Sequence, residues 1–145
     1  AAPDGEDPRV EAERDPRRVQ SADQDVLAIR LNTDGVLDTG FSPGGRWILD
    51  ITATDSGTAL LFDSANNVVI AATANSAAVG KFAAIRADSG GALDLPFGTN
   101  GVASTTPGAG LSFAMAIASQ SDGGLILAGR TVTGPQTNIV LVKYY

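Results

Sequence analysis

Two arginines that each stand eight residues ahead of an aspartate are the first side chains here whose type and spacing could do chemistry: Arg30 with Asp38, and Arg86 with Asp94. A guanidinium and a carboxylate at the two ends of a turn can pair in a planar, directional ion pair, which reads as a strut tying strand to turn. The alternative is that Arg30 and Arg86 line a face that binds an anionic ligand. Oxygen ligands lie between them. Asn32, Asp34 and Asp38 are spaced somewhat like a calcium loop, and Asp88, Ser89 and Asp94 follow in the second instance. The loops lack the glutamate and the ligand density of an EF-hand, and Asn-Asp-Gly segments in turns ordinarily serve the backbone. Calcium is therefore the lesser reading, and no other cofactor is implied. Asp38 and Asp94 could be imagined as a glycosidase pair, but equivalent residues of successive repeats stand too far apart for that reaction. Lys81 and Lys143 are the only lysines, and no Ser-Lys motif surrounds either. His and Cys are both absent, which removes thiolate chemistry, a Ser-His-Asp triad and the usual zinc sites. The chain reads as non-enzymatic.

The elements that must position these residues occur more than once. Ala28, Ile29, Arg30, Gly35, Leu37, Asp38 and Phe41 recur 56 positions later as Ala84, Ile85, Arg86, Gly91, Leu93, Asp94 and Phe97. Further on the offset becomes 57, as in Ala59/Ala116, Ser64/Ser121 and Ala71/Ala128. One residue has entered the second copy, most simply in the loop between Thr105 and Leu111, since loops accept insertions and strand pairing does not. A third copy begins at Ile139. The repeats thus run over about 25–80, 81–138 and 139–145. Apolar runs of five or six residues punctuated by Asp-Gly and Gly-Gly turns read as strands over 26–31, 46–51, 58–62, 68–73 and 81–87 in the first unit. In the second unit they read as strands over 101–105, 111–119, 125–131 and 138–144. The alanine-rich stretches 71–84 and 113–118 raise helix as a rival, but Val, Thr, Asn and Gly interrupt any helical period.

Composition sets the outer limits. The 145 residues allow one modest domain, and 17 glycines with 18% charged residues suit short strands and tight turns. A net charge of −6, with only six basic residues beyond Gln24, argues against a nucleic-acid partner. No apolar run approaches the roughly 20 residues of a membrane-spanning helix. Residues 1–24 carry seven acids and four arginines with only Val10 and Val19 as sizeable aliphatics, and read as a disordered tail or spacer. A start of Ala1-Ala2-Pro3 without Met is what removal of an export signal would leave.

A period in the fifties with four strands per unit points to an all-β fold of propeller-like repeats. The expected architecture is two four-stranded antiparallel blades, 46–87 and 101–144, with the strand at 26–31 left over. Residues 68–72 and 125–129 are apolar on both faces, as in a sheet covered on both sides. The pattern resembles the delta-60 repeat, a bacterial β-propeller-like repeat common in secreted and cell-envelope proteins. The residues carrying the likeness are Ile29-Arg30, Asn32 to Asp38 and Phe41, then Ile85-Arg86, Gly91 to Asp94, Phe97-Gly98 and Ser121 to Gly129. It implies an exported structural or ligand-binding module, whose partners are other blades or copies of itself, or a protein or carbohydrate ligand. The alternative is a piece of a hydrolytic propeller with its catalytic residues elsewhere. A compact two-unit sandwich is the fallback fold. Phe41 and Phe97 read as core plugs. Trp47, matched only by Ala103, is the one unrepeated aromatic of a repeated frame, and with Arg30 and Arg86 it forms the candidate ligand surface.

Overall fold

The computed structural model describes residues 24–76 and 79–145, and the expectation for the charged tail falls, Gln24 apart, outside them. Among the described residues there are nine strands and no α-helix. The strands are β1 Val26–Ile29, β2 Arg46–Leu49, β3 Thr54–Phe62, β4 Val68–Ser76, β5 Val79–Ala87, β6 Val102–Thr105, β7 Leu111–Ser119, β8 Leu125–Thr133 and β9 Gln136–Tyr144. One turn of 3₁₀ helix, Pro43–Gly45, precedes β2. The fold is all-β and its ladders are antiparallel throughout, apart from one isolated parallel bridge between Gln24 and Thr54.

The strands divide into three sheets, β1-β2, β3-β4-β5-β6 and β7-β8-β9. This corrects the expected grouping. The strand at 46 does not open the sheet of 54–87. It pairs with the strand at 26, which is therefore not left over, and Val102–Thr105 likewise joins β5 rather than β7. The cause is the turn after Arg30 and Arg86. It returns the chain to the strand it has just left, with Arg30 N–H donating to Gly45 O at 3.3 Å and Arg86 N–H to Gly101 O at 2.9 Å. The step to another sheet comes afterwards, through residues 50–53 in one copy and 106–110 in the other. The second of these connections is one residue longer, which is where the repeat offset changes from 56 to 57. Both copies carry a bulge at the same place, between Gly57 and Ala59 and between Ala114 and Ala116.

Two apolar layers separate the three sheets. Val26, Ala28 and Phe41 meet Ile70, Ala72, Ala83 and Ile85 in the first, and Val69, Ala71, Phe82, Ala84 and Phe97 meet Ala114, Leu125 and Leu127 in the second. The middle sheet feeds both, because alternate residues of β4 and β5 point to opposite faces. This explains the alanine-rich stretches. Ala71, Ala72, Ala74, Ala83 and Ala84 are fully buried, and their small side chains let two sheets approach a third. Burial on both faces holds for β4 but only half for β8, where Leu125, Leu127 and Gly129 are buried while Ile126 and Ala128 are half-exposed.

Candidate functional site

Each repeated arginine stands at the centre of a clamp. Arg30 Nε donates to Asp38 Oδ2 at 2.9 Å, and the guanidinium lies 4.9 Å from the ring centre of Phe41. Arg86 repeats this with Asp94 at 2.7 Å and Phe97 at 4.2 Å. The backbone closes the same loop in both copies. Asp38 N–H donates to Arg30 O and Asp94 N–H to Arg86 O, and the Phe41 and Phe97 N–H groups donate to the aspartate carbonyls. A partly exposed ion pair of this kind contributes only about 0–1 kcal/mol. Combined with an aromatic face and a fixed turn, it sets direction more than it adds stability. The clamps are also linked. Arg30 Nη1 donates to Ser89 O, and Ser42 N–H donates to Gly90 O at 2.7 Å. Gly91, at φ +84°, lies so close to Phe41 that a Cβ there would sit 2.8 Å from the ring.

Several of the oxygens considered for calcium are engaged by the chain itself. Asn32 Oδ1 accepts from the Asp34 and Val36 N–H groups at 3.0 and 2.9 Å, and Asp88 Oδ1 accepts from Gly90 and Ala92 at 2.8 and 2.9 Å. Asp38 Oδ1 takes the Gly40 N–H, while its Oδ2 takes Arg30. The Asn32 and Asp88 contacts close turns between residues two and four apart and match between copies, whereas the Asp38–Gly40 contact has no equivalent at Asp94, because Pro96 lacks an N–H. Asp34 is exposed at the turn tip.

Among the described residues, the carboxylates that do converge are others. Oxygens of Asp25, Asp50 and Asp55 lie within 4.8 Å of one another. Asp55 is buried and already accepts the Ile51 N–H at 2.5 Å, the Thr52 N–H at 3.0 Å and the Thr52 hydroxyl at 2.9 Å, so it caps the loop between β2 and β3. Reading along the chain does not reveal this grouping. The signal is the β1–β2 register, in which Val26 faces Leu49 and so sets residue 25 beside residue 50.

The candidate ligand surface is divided. Trp47 is half-buried against the first apolar layer, with its indole N–H buried and unpaired among the described residues. Arg30 borders a groove of about 670 Å³ that is mostly apolar, flanked by Leu27, Ile29, Leu60, Phe62 and Ile70. Arg86 borders a smaller hollow of about 290 Å³ between the β3–β4 and β7–β8 turns, with Asp63, Asn67 and Gln120. Burial raises the carboxyl of Asp63, but the Asn67 amide, the Asn67 and Ala65 N–H groups and the Arg86 charge outweigh it and hold Asp63 below its ordinary value. At the far end Lys143 takes the place of the repeated arginine and bonds Asp122 Oδ2 at 2.8 Å. That contact lowers the Asp122 carboxyl and raises the Lys143 ammonium.

Compared with protein-family models, curated protein sequences and solved structures, the chain matches none. Among the described residues no helix is long and apolar enough to cross a membrane.

Proposed function

We propose that this chain is a non-enzymatic structural module of a β-propeller-like stack, in which each sheet is a blade and the Arg–Asp–Phe clamp is the joint that repeats from blade to blade. The observation that carries this reading is the hand-over between clamps. Arg30 and Ser42 of one copy bond the carbonyls of Ser89 and Gly90 in the turn of the next, so the device that closes one unit also seats its successor. The Arg30–Asp38 and Arg86–Asp94 pairs are engaged in holding turns, which supports a structural role. The resemblance to the delta-60 repeat supports the same role and, with it, an exported setting at the cell envelope or outside the cell. The working surfaces are then the sheet faces at the two ends. Leu27, Ile29, Leu60 and Phe62 are more than half exposed at one, and Ile139 and Leu141 at the other. Such surfaces are partner sites or aggregation liabilities, and neighbouring repeats are the partners they fit.

Light scattering combined with an apolar-surface dye tests the proposal. It predicts a single-chain mass with strong dye enhancement, or a mass of two or more copies with the enhancement suppressed. A single-chain mass without dye enhancement contradicts it.

A further inference from the structure

We infer that the groove beside β1 is a docking site for a β-hairpin of the β3–β4 type, which pairs with the open edge of β1 and packs over β3; this rests on the stacked-repeat reading. Two equivalent places in the repeat differ at this edge. β1 and β2 correspond to β5 and β6 at an offset of 56, with the same pairing register. β5 has β6 on one edge and β4 on the other. β1 has β2 on one edge, and among the described residues no strand lies on the other. The backbone there is set to receive one. Arg30 N–H donates to Gly45 O in β2's direction, so by the antiparallel alternation the Leu27 and Ile29 N–H groups face the open edge, as those of Ala83 and Ile85 face β4.

The two grooves match in the same way. The small hollow is bordered by Arg86, Ser119 and Gly123, whose counterparts Arg30, Phe62 and Asn66 border the large one. The remaining wall of the small hollow includes Asp63, Ser64, Ala65 and Asn67, the turn of the β3–β4 hairpin. The large groove is thus the small hollow plus the volume a preceding hairpin would fill. Side chains agree: Ile117 is packed against the second apolar layer, while its counterpart Leu60 is 62% exposed. Charge agrees as well, since the hairpin turn that faces Arg86 brings the carboxylate of Asp63, and an equivalent turn would bring one to Arg30.

The occupant must be a hairpin with a free second edge. Neither hairpin of that type in this chain, β3–β4 or β7–β8, offers that, because β4 is held by β5 and β8 by β9. Residues 1–23 are dominated by charge and lack the alternating apolar pattern. The partner is therefore a further repeat unit, not a second copy of this chain.

The test uses the full chain and a labelled peptide of residues 54–76, with the same segment fused to the N-terminus through a flexible linker as a form independent of peptide affinity. The expected result is saturable binding, with amide exchange at Leu27 and Ile29 slowed about tenfold or more in both forms. The exposed-site variant Leu60→Lys/Phe62→Lys should weaken peptide binding by about tenfold or more, and a peptide carrying Asp63→Lys should also bind more weakly. Absence of slowing at Leu27 and Ile29 in both forms overturns the inference, as does slowing confined to β9. So does self-association of the chain alone that protects those two amides. If the mass and dye results uphold the stacked-repeat reading while these amides stay unprotected, the hairpin site alone fails. A single-chain mass with no dye response removes the reading and the site together.

Discussion

The junction between the middle sheet and β7–β9 and the junction between β1–β2 and the middle sheet use equivalent strands, yet they differ in depth. In the former, β7 lies across β3, β4 and β5. Thr73 Oγ1 accepts the Ala114 N–H at 2.8 Å from the neighbouring sheet, and the Tyr144 hydroxyl donates to Phe82 O at 3.1 Å. Burial also pushes the Tyr144 phenol above its ordinary value. In the latter, β3 rests mainly on β1, and the adjoining surface of Leu27, Ile29, Leu60 and Phe62 stays apolar and exposed. The two junctions thus separate the roles of clamp and apolar layer within the repeat. The Arg–Asp–Phe clamp forms with equivalent partners in both places and so does not depend on the hairpin. The apolar layer does depend on it.

Mutations can sharpen that comparison. Phe82 is fully buried at the filled junction, and Phe82→Ala is expected to cost about 3–5 kcal/mol in urea unfolding through the cavity it leaves. A value under about 1 kcal/mol would show that the layer is loosely packed. Asp55 and Ser112 are counterparts on β3 and β7 with opposite circumstances. Asp55→Ala leaves the Ile51 and Thr52 N–H groups without their charged acceptor and should cost about 2–3 kcal/mol. The Ser112 hydroxyl is buried and has no partner among the described residues, so Ser112→Ala should stabilise the protein by about 1 kcal/mol. Leu60→Ala, at the open groove, should change stability by no more than about 0.5 kcal/mol in the isolated chain.

The smallest effect concerns pH. Asp63 is held below its ordinary value in the folded protein, so it adds stability that is fully present above the unfolded carboxylate range. That stability is lost as pH falls through the lower folded value. Asp63→Asn should therefore flatten the acid limb of a plot of urea midpoint against pH and leave its slope near neutrality unchanged. An unaltered acid limb would mean that the contact with Asn67 and Arg86 is not populated in solution.

Much of this could be read from the residues. Strand positions were legible because turns announce themselves: Asn32 to Gly35, Asp63 to Asn67 and Ser121 to Gly124 each separate apolar runs. The Arg–Asp strut was legible because repetition at a fixed spacing is what a scaffold requires. The inserted residue was legible from the change of offset. The division into sheets was not, because local pattern does not say whether β2 pairs backward to β1 or forward to β3. The clamp decides it, through contacts made only when the turn has closed. The start of β3 was hidden too, since Gly57 and the adjoining bulge break the alternation that marks a strand. The acidic group of Asp25, Asp50 and Asp55 depends on a cross-strand register and leaves no motif in the chain.

The open edge of β1 is tested by amide exchange on the chain at concentrations where light scattering gives a single-chain mass. Ala83 and Ile85 on β5 are compared with their counterparts Leu27 and Ile29 on β1. The β5 pair is expected to exchange only through global unfolding, slower than the β1 pair by roughly a thousandfold or more. Equal protection of the two pairs would contradict it, because the β1 edge would then already be filled.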